Sequence, residues 1–107
     1  MPLDINYWNL CGHQPMLEDR VRCEAFCQAL EAVVKPGCAV LDIGAGTGIL
    51  SLFAARAGAR VVYAVERTGV AKLARDIVAD NGYADRIQVI QRDVQDVALP
   101  EKVDVIV

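Results

Sequence analysis

The segment VLDIGAGTG constrains the fold of this chain more than any other part of it. Three glycines, Gly44, Gly46 and Gly48, separate a short apolar run at residues 38–43 from a longer one, TGILSLFAARAG. Glycines permit a tight turn, and they let a ligand approach the backbone at the start of a helix. The segment therefore predicts a buried strand, a ligand-binding turn and a buried helix in succession.

The remainder of the chain repeats this alternation of strands and helices. A helix is predicted from Pro15 to about Val34, because Pro favours the first helical position and the segment KPG at residues 35–37 ends the element. Further strands are predicted at residues 60–66, 86–91 and 103–107. A further helix is predicted from Val70, closed by Asn81-Gly82. The apolar face of the first helix is predicted to contain Phe26, Leu30, Val33 and Val34. The apolar face of the later helix is predicted to contain Val70, Leu73, Ala74, Ile77 and Val78.

Strands that alternate with helices through short loops form a parallel sheet with right-handed crossovers and covering helices. We therefore predict an α/β fold, a Rossmann-like doubly wound parallel sheet, present in part as four strands with flanking helices. The sequence shows no internal repeat, and one domain is expected to span residues 1–107.

Composition limits the classes of protein that remain. The chain has 107 residues, of which 54% are hydrophobic, and its net charge is −3, so it has no general attraction to nucleic acid. It has no apolar stretch near the roughly 18 residues that span a bilayer, and its first residues do not resemble an export signal. We expect a cytoplasmic protein that is not bound to a membrane.

The four cysteines, Cys11, Cys23, Cys27 and Cys38, are expected to be reduced thiols. Together with His13, three of them could be drawn as a zinc site, since Cys23 and Cys27 are one helical turn apart. Zinc ligands usually come as closely spaced pairs on turns, whereas Cys is common in protein cores. The core interpretation is favoured, and no metal site is predicted.

An acidic residue, Glu66, ends the second predicted strand, 22 residues after Gly44 (66 − 44). In this topology an acid at that position accepts hydrogen bonds from the hydroxyls of a ribose. A dinucleotide fingerprint would need a glycine at position 49, which is Ile49, and the lysine of a nucleotide triphosphatase is absent. Asp42, just before the turn, suits a ligand with an ammonium group. These features favour S-adenosylmethionine over NAD.

The segment VLDIGAGTGILSLFAARAGARVVYAVE resembles the first two motifs of class I S-adenosylmethionine-dependent methyltransferases, and specifically those of the protein arginine methyltransferases. GHQPMLEDRVR and DVQDVALPEKVDVIV resemble further segments of the same family. The resemblance covers roughly residues 7–107, and it is much more specific than the glycine turn alone.

The resemblance implies a role for individual positions. Arg22 would pair with the carboxylate of the cofactor, Tyr7 would place a hydroxyl near the transferring methyl group, and Gln95 stands where the family usually has a glutamate. The segment at residues 1–36 would contribute to the cofactor pocket. The complete set of expected cofactor-binding residues is His13, Met16, Arg22, Asp42, Gly44, Ala45, Gly46, Gly48, Glu66, Arg67, Asp93 and Val94.

The sequence departs from the family in two places. Gln14 and Pro15 replace glutamates, and the paired glutamates that grip a guanidinium belong after the fourth strand, where the sequence stops at Val107. The catalytic residues are therefore unknown, and the chain alone is expected to be inactive.

The sequence does not identify the methyl acceptor. It leaves three alternatives: a protein side chain such as arginine, RNA, or a small molecule. The alternative is a non-catalytic S-adenosylmethionine-binding or interaction module. A homodimer is expected through the exposed strand at residues 103–107.

Overall fold

The computed structural model describes residues 17–107, with side chains from residue 21 onward. Within these residues, three α-helices and four β-strands follow one another. They are α1 (Leu17–Val33), β1 (Ala39–Ile43), α2 (Ile49–Arg56), β2 (Val61–Val65), α3 (Val70–Asp80), β3 (Ile87–Ile90) and β4 (Val105–Ile106), with a 3₁₀ turn at Val94–Asp96 before β4. The strands are one to three residues shorter than predicted.

The four strands form one parallel sheet in the order β3-β2-β1-β4. β1 and β2 lie side by side over their full length, from Ala39 opposite Val61 to Ile43 opposite Val65. Every residue of β2 is buried, as expected of a central strand covered on both faces. The carboxyl ends of β1, β2 and β3 therefore meet at one edge of the sheet. The predicted α/β fold class is confirmed.

All three helices pack on the same face of the sheet. Buried residues from each helix, among them Leu30, Phe53 and Val78, form one cluster with residues of the strands. The strand residues are Val40, Val62, Ala64 and Ile87. On the opposite face, the segment between β3 and β4 covers the sheet with Val97, Leu99 and Val103 in place of a helix. Within the described residues, helices thus cover one face of the sheet, and an irregular segment covers part of the other face.

The predicted apolar faces of α1 and α3 are wrong in part. Phe26 and Val33 are 46% and 52% exposed, whereas Cys27, Leu30 and Val34 are buried. In α3, Leu73 is 51% exposed, and the buried residues are Ala71, Ala74 and Val78. Two of the three buried residues of α3 are alanines, which let this helix approach the sheet closely. The helical spacing was correct, but the buried face is turned by about one residue.

Among the strands of the described residues, β4 forms one edge of the sheet, because β1 is its one neighbour there. Val105 packs against the core below the helices, and Ile106 on the other face is 63% exposed. In the part of the chain that the structure describes, no helix combines the length and the apolar character that crossing a membrane requires.

Candidate functional site

The glycine turn between β1 and α2 is held against the end of β2. The backbone N–H groups of Gly44 and Ala45 both donate to the carbonyl oxygen of Val65, at 2.9 and 3.0 Å. Gly44, Gly46 and Gly48 have φ angles of +68°, +58° and +88°, in the left-handed region that other residues rarely adopt. The three glycines are therefore required by the backbone path itself.

The space in front of the turn is open. No atom lies within 4 Å of the place where a Cβ would stand on Gly44 or Gly46. At Gly48, a Cβ would meet Ala74 and Val78 of α3 at 3.7 and 3.8 Å, which is ordinary contact. Gly44 and Gly46 thus form a cradle that side chains would fill, as expected where a ligand approaches the backbone.

Glu66 connects the glycine turn to the end of β2. Its Oε1 accepts a hydrogen bond from the backbone N–H of Gly46 at 3.0 Å, and its Oε2 accepts from the backbone N–H of Thr68 at 3.0 Å and the Thr68 hydroxyl at 2.5 Å. The hydrogen bonds from the Thr68 hydroxyl and the two backbone amides lower the pKa of Glu66 from its ordinary value. The carboxylate is consequently charged and fixed in position beside the turn.

A cavity of about 260 Å³ opens beside this carboxylate at the carboxyl edge of the sheet. Five of the predicted residues line it, together with three that were not predicted. The predicted ones are Gly44, Glu66, Arg67, Asp93 and Val94, and the others are Ile43, Val65 and Arg92. The cavity has the position that nucleosides occupy in open α/β sheets, outside the carboxyl ends of the strands.

Arg92 and Ile43 were missed by the sequence reasoning. Ile43 is the last residue of β1, and its 45% exposure places an apolar side chain on the cavity wall. Arg92 follows β3 by two residues, at the edge of the sheet where Glu66 also lies. Their positions just at the ends of parallel strands were a signal that could have identified both.

Asp93 caps the 3₁₀ turn that follows β3. Its Oδ1 accepts a hydrogen bond from the backbone N–H of Gln95 at 3.1 Å and lies 3.4 Å from Gln95 Nε2. Val94, which is 41% exposed, presents an apolar surface at the same cavity. The pair therefore offers a polar group and an apolar surface to a base, and contact with adenine stays a prediction.

Asp42 lies below the turn and is only 2% exposed. Its Oδ2 accepts a hydrogen bond from the hydroxyl of Ser51 in α2 at 2.7 Å. Burial raises the pKa of Asp42, and the hydrogen bonds from Ser51 partly oppose that change. Asp42 does not line the cavity beside Glu66, and its predicted contact with a cationic ligand stays a prediction.

The other predicted residues are distributed around the turn or lie outside the described part. Ala45 and Gly48 belong to the turn, with Ala45 against the core. Arg22 is exposed on α1 and does not line the cavity. Tyr7, His13 and Met16 lie outside the described residues, as does Cys11.

Cys27 is buried, and its thiol lies 3.6 Å from a Glu31 carboxylate oxygen. The structure places no cluster of metal-binding side chains among the residues it describes.

Comparisons with known proteins agree with this geometry. The family model for ribosomal protein L11 methyltransferase (PrmA) matches residues 24–107. Protein arginine N-methyltransferase PRMT10 of Oryza sativa subsp. japonica is 48% identical over 103 residues, which cover 94% of this chain and 27% of that protein.

Solved structures give the same result. The Trypanosoma brucei PRMT1 enzyme-prozyme heterotetrameric complex with AdoHcy has a TM-score of 0.78 and 47% identity, over 85% of this chain and 29% of the other. Protein arginine methyltransferase 10 of Arabidopsis thaliana has a TM-score of 0.78 and 48% identity, over 85% of this chain and 27% of the other.

The parallel sheet, the glycine turn, the acid that follows β2 and these similarities define a class I methyltransferase, the Rossmann-like class that depends on S-adenosylmethionine. The chain belongs to the PrmA methyltransferase family, and its sequence is close to those of the protein arginine methyltransferases. It spans about a quarter of the length of the curated relatives it matches, 27% in the case of rice PRMT10.

Proposed function

We propose that this chain is the cofactor-binding portion of a methyltransferase and binds S-adenosylmethionine at the cavity beside Glu66. The observation that carries this proposal is the hydrogen bond of 3.0 Å from Gly46 to Glu66, which places a charged acceptor next to an open glycine cradle. Relatives described with AdoHcy or SAH support the identity of the ligand.

Different residues of the chain would bind different parts of the cofactor. Glu66 would accept hydrogen bonds from the ribose hydroxyls, and the cavity wall at Ile43 and Val94 would contact the base. The cradle at Gly44 and Gly46 lets the remaining part of the molecule pass close to the backbone. When bound, S-adenosylmethionine supplies a methyl group on a sulfonium, so methyl transfer requires mainly alignment of the acceptor.

The acceptor is proposed to be a protein side chain, with arginine as the residue. The support is the identity of 42–48% to curated relatives named as protein arginine methyltransferases. The matching family model names a ribosomal protein methyltransferase, which also favours a protein acceptor over RNA or a small molecule. The second candidate is a non-catalytic S-adenosylmethionine-binding module, because the features that carry the proposal concern the cofactor and not an acceptor.

We also propose a surface for self-association and a cellular compartment. The outer edge of β4 would pair with a second copy of the chain, since its backbone groups and Ile106 are exposed there. A reducing compartment such as the cytoplasm would suit the three described cysteines, which are free thiols.

Titration calorimetry tests the cofactor assignment. We expect the 107-residue chain to bind S-adenosylhomocysteine and not NAD, and Glu66→Gln to weaken that binding by about tenfold to a hundredfold, since one charged acceptor is lost. Glu31→Gln, which removes an acid on α1, is the control and should bind as the wild type does. Equal binding of NAD, or unchanged binding by Glu66→Gln, would contradict the proposal.

Transfer of a labelled methyl group from S-adenosylmethionine tests the acceptor. Arginine-containing peptides, the same peptides with lysine in place of arginine, and RNA are compared. Labelling of arginine peptides alone supports the proposal, and labelling of RNA or lysine overturns it. Cofactor binding with no labelling of any acceptor favours the non-catalytic module and agrees with the sequence expectation of an inactive isolated chain.

A further inference from the structure

The carboxylate of Glu66 is held by a residue to which neither the glycine motif nor the family resemblance assigns a role. Thr68, two residues later, donates to Glu66 Oε2 with its hydroxyl at 2.5 Å and with its backbone N–H at 3.0 Å. On the other oxygen, the one donor among the described residues is the Gly46 N–H. Of the three hydrogen bonds that the described residues make to this acid, two therefore come from Thr68.

The Thr68 hydroxyl is itself held from the other side. Its oxygen accepts a hydrogen bond of 3.3 Å from the backbone N–H of Val70, the first residue of α3. A hydroxyl that accepts from one group is directed to donate to another, so the start of α3 is linked through Thr68 to the Glu66 carboxylate. This link leaves Glu66 with one preferred orientation before any ligand arrives.

We propose that Thr68 is a positioning residue that fixes the Glu66 carboxylate in the orientation that accepts the ribose of the cofactor. The inference rests on the proposed function of the cavity. It extends that function, because it assigns part of the cofactor affinity to a side chain that does not line the cavity. Preorganised acceptors bind more tightly because less freedom is lost on binding.

The charge state of Glu66 provides a readout that a merely structural role would not change. The hydrogen bond from the Thr68 hydroxyl is the largest of the effects that lower the pKa of Glu66, and Arg67 acts in the same direction. The other charged groups at the cavity are Arg92 and Asp93. Because the charged form accepts the ribose, affinity is present above the lowered pKa and is lost as the pH falls through it. Without the hydroxyl, that loss occurs at a higher pH.

Thr68→Val and Thr68→Ser form a matched pair for the test. Val keeps the shape of Thr and removes the hydroxyl, whereas Ser keeps the hydroxyl. Affinity for S-adenosylhomocysteine is measured between pH 3.5 and 8 by calorimetry, with circular dichroism to show that each variant is folded. We expect Thr68→Val to bind about threefold to tenfold more weakly at neutral pH, with a higher midpoint for the loss at low pH, and Thr68→Ser to restore both.

Glu66→Gln is the reference variant. Any loss of its affinity at low pH must come from other titrating groups, including those of the ligand, because the glutamine side chain does not titrate. If Thr68→Val binds as Thr68→Ser does with the same midpoint, the positioning role is refuted. Tighter binding by Thr68→Val would refute it as well, because the hydroxyl would then compete with the ribose. If the wild-type chain binds no S-adenosylhomocysteine at any pH, the proposed function itself fails, and that outcome is distinct from both.

Discussion

The hydroxyl of Ser51 donates a hydrogen bond of 2.7 Å to the carboxylate of Asp42, and both side chains are almost fully buried, at 0% and 2% exposure. Asp42 belongs to β1 and Ser51 to the first turn of α2, so this bond joins the two elements that flank the glycine turn. A buried acid is costly unless it is hydrogen-bonded. The glycine cradle therefore depends on a polar contact directly below it.

Ser51→Ala should destabilise the fold by about 1–3 kcal/mol, because it leaves the buried Asp42 carboxylate without this donor. Urea denaturation measures the free energy of unfolding. A double-mutant cycle with Asp42→Ala isolates the contact from other effects of each change, because Ala offers the Ser51 hydroxyl no acceptor. Additive effects of the two substitutions would show that the hydrogen bond does not stabilise the fold.

The stability of the wild-type chain should depend on pH through Asp42. Burial raises the pKa of this acid above its unfolded value of 3.8. Between that value and the raised pKa the folded state binds more protons than the unfolded state, so the free energy of unfolding falls as the pH rises through this interval. Asp42→Asn should remove that decline. Ser51→Ala should extend it to higher pH, since the hydrogen bonds from Ser51 lower the pKa. Urea denaturation at a series of pH values measures both, and parallel profiles for all three proteins would contradict this account.

Gly46→Val should abolish binding of S-adenosylhomocysteine, because the new side chain would enter the open cradle. The control is Gly82→Val, since Gly82 also has a positive φ, +80° against +58°, and also has no atom within 4 Å of an added Cβ. Each change should lower stability by at least roughly 1–2 kcal/mol through backbone strain. Calorimetry with both variants separates strain from obstruction. Equal loss of binding in the two would mean that the ligand does not approach Gly46.

Arg86→Lys should destabilise the fold by about 1–3 kcal/mol. The guanidinium of Arg86 donates from Nε to Ala59 O at 3.1 Å, and from Nη2 to Ala55 O at 2.6 Å and again to Ala59 O. It therefore satisfies carbonyls at and beyond the end of α2, and one ammonium group cannot reproduce this forked arrangement. Arg75→Lys is the control, because its single bond to Val89 O is exposed and 3.5 Å long. Thermal unfolding that shows similar losses for the two variants would refute this role.

Ile106→Lys should shift the chain from dimer to monomer if the outer edge of β4 pairs with a second copy. Ile106 is 63% exposed at that edge, and Val21→Lys on α1 replaces a residue of similar exposure, 59%, as the control. Sedimentation velocity at micromolar concentration measures the outcome. A wild-type chain that is already monomeric, or dissociation by Val21→Lys as well, would contradict pairing through β4.

The sequence by itself determined the order of the elements and the position of the glycine turn. A continuous apolar run marked β1, the three glycines marked the turn, and Glu66 could be placed beside Gly46 because both follow neighbouring parallel strands. The glycine turn depends on local backbone conformation. The neighbouring positions of β1 and β2 follow from the alternation of strands and helices along the chain.

Only the tertiary structure decided which neighbours each side chain has. Helical spacing predicted that Phe26 and Leu73 would be buried, yet both are largely exposed. Burial depends on which surface the helix packs against, and the spacing does not specify that surface. The partner of Asp42, and the contribution of Arg92 to the cavity wall, depend on distances between separate elements. A periodic pattern reports one element at a time, whereas these contacts arise only when the sheet brings its carboxyl ends and its helices together.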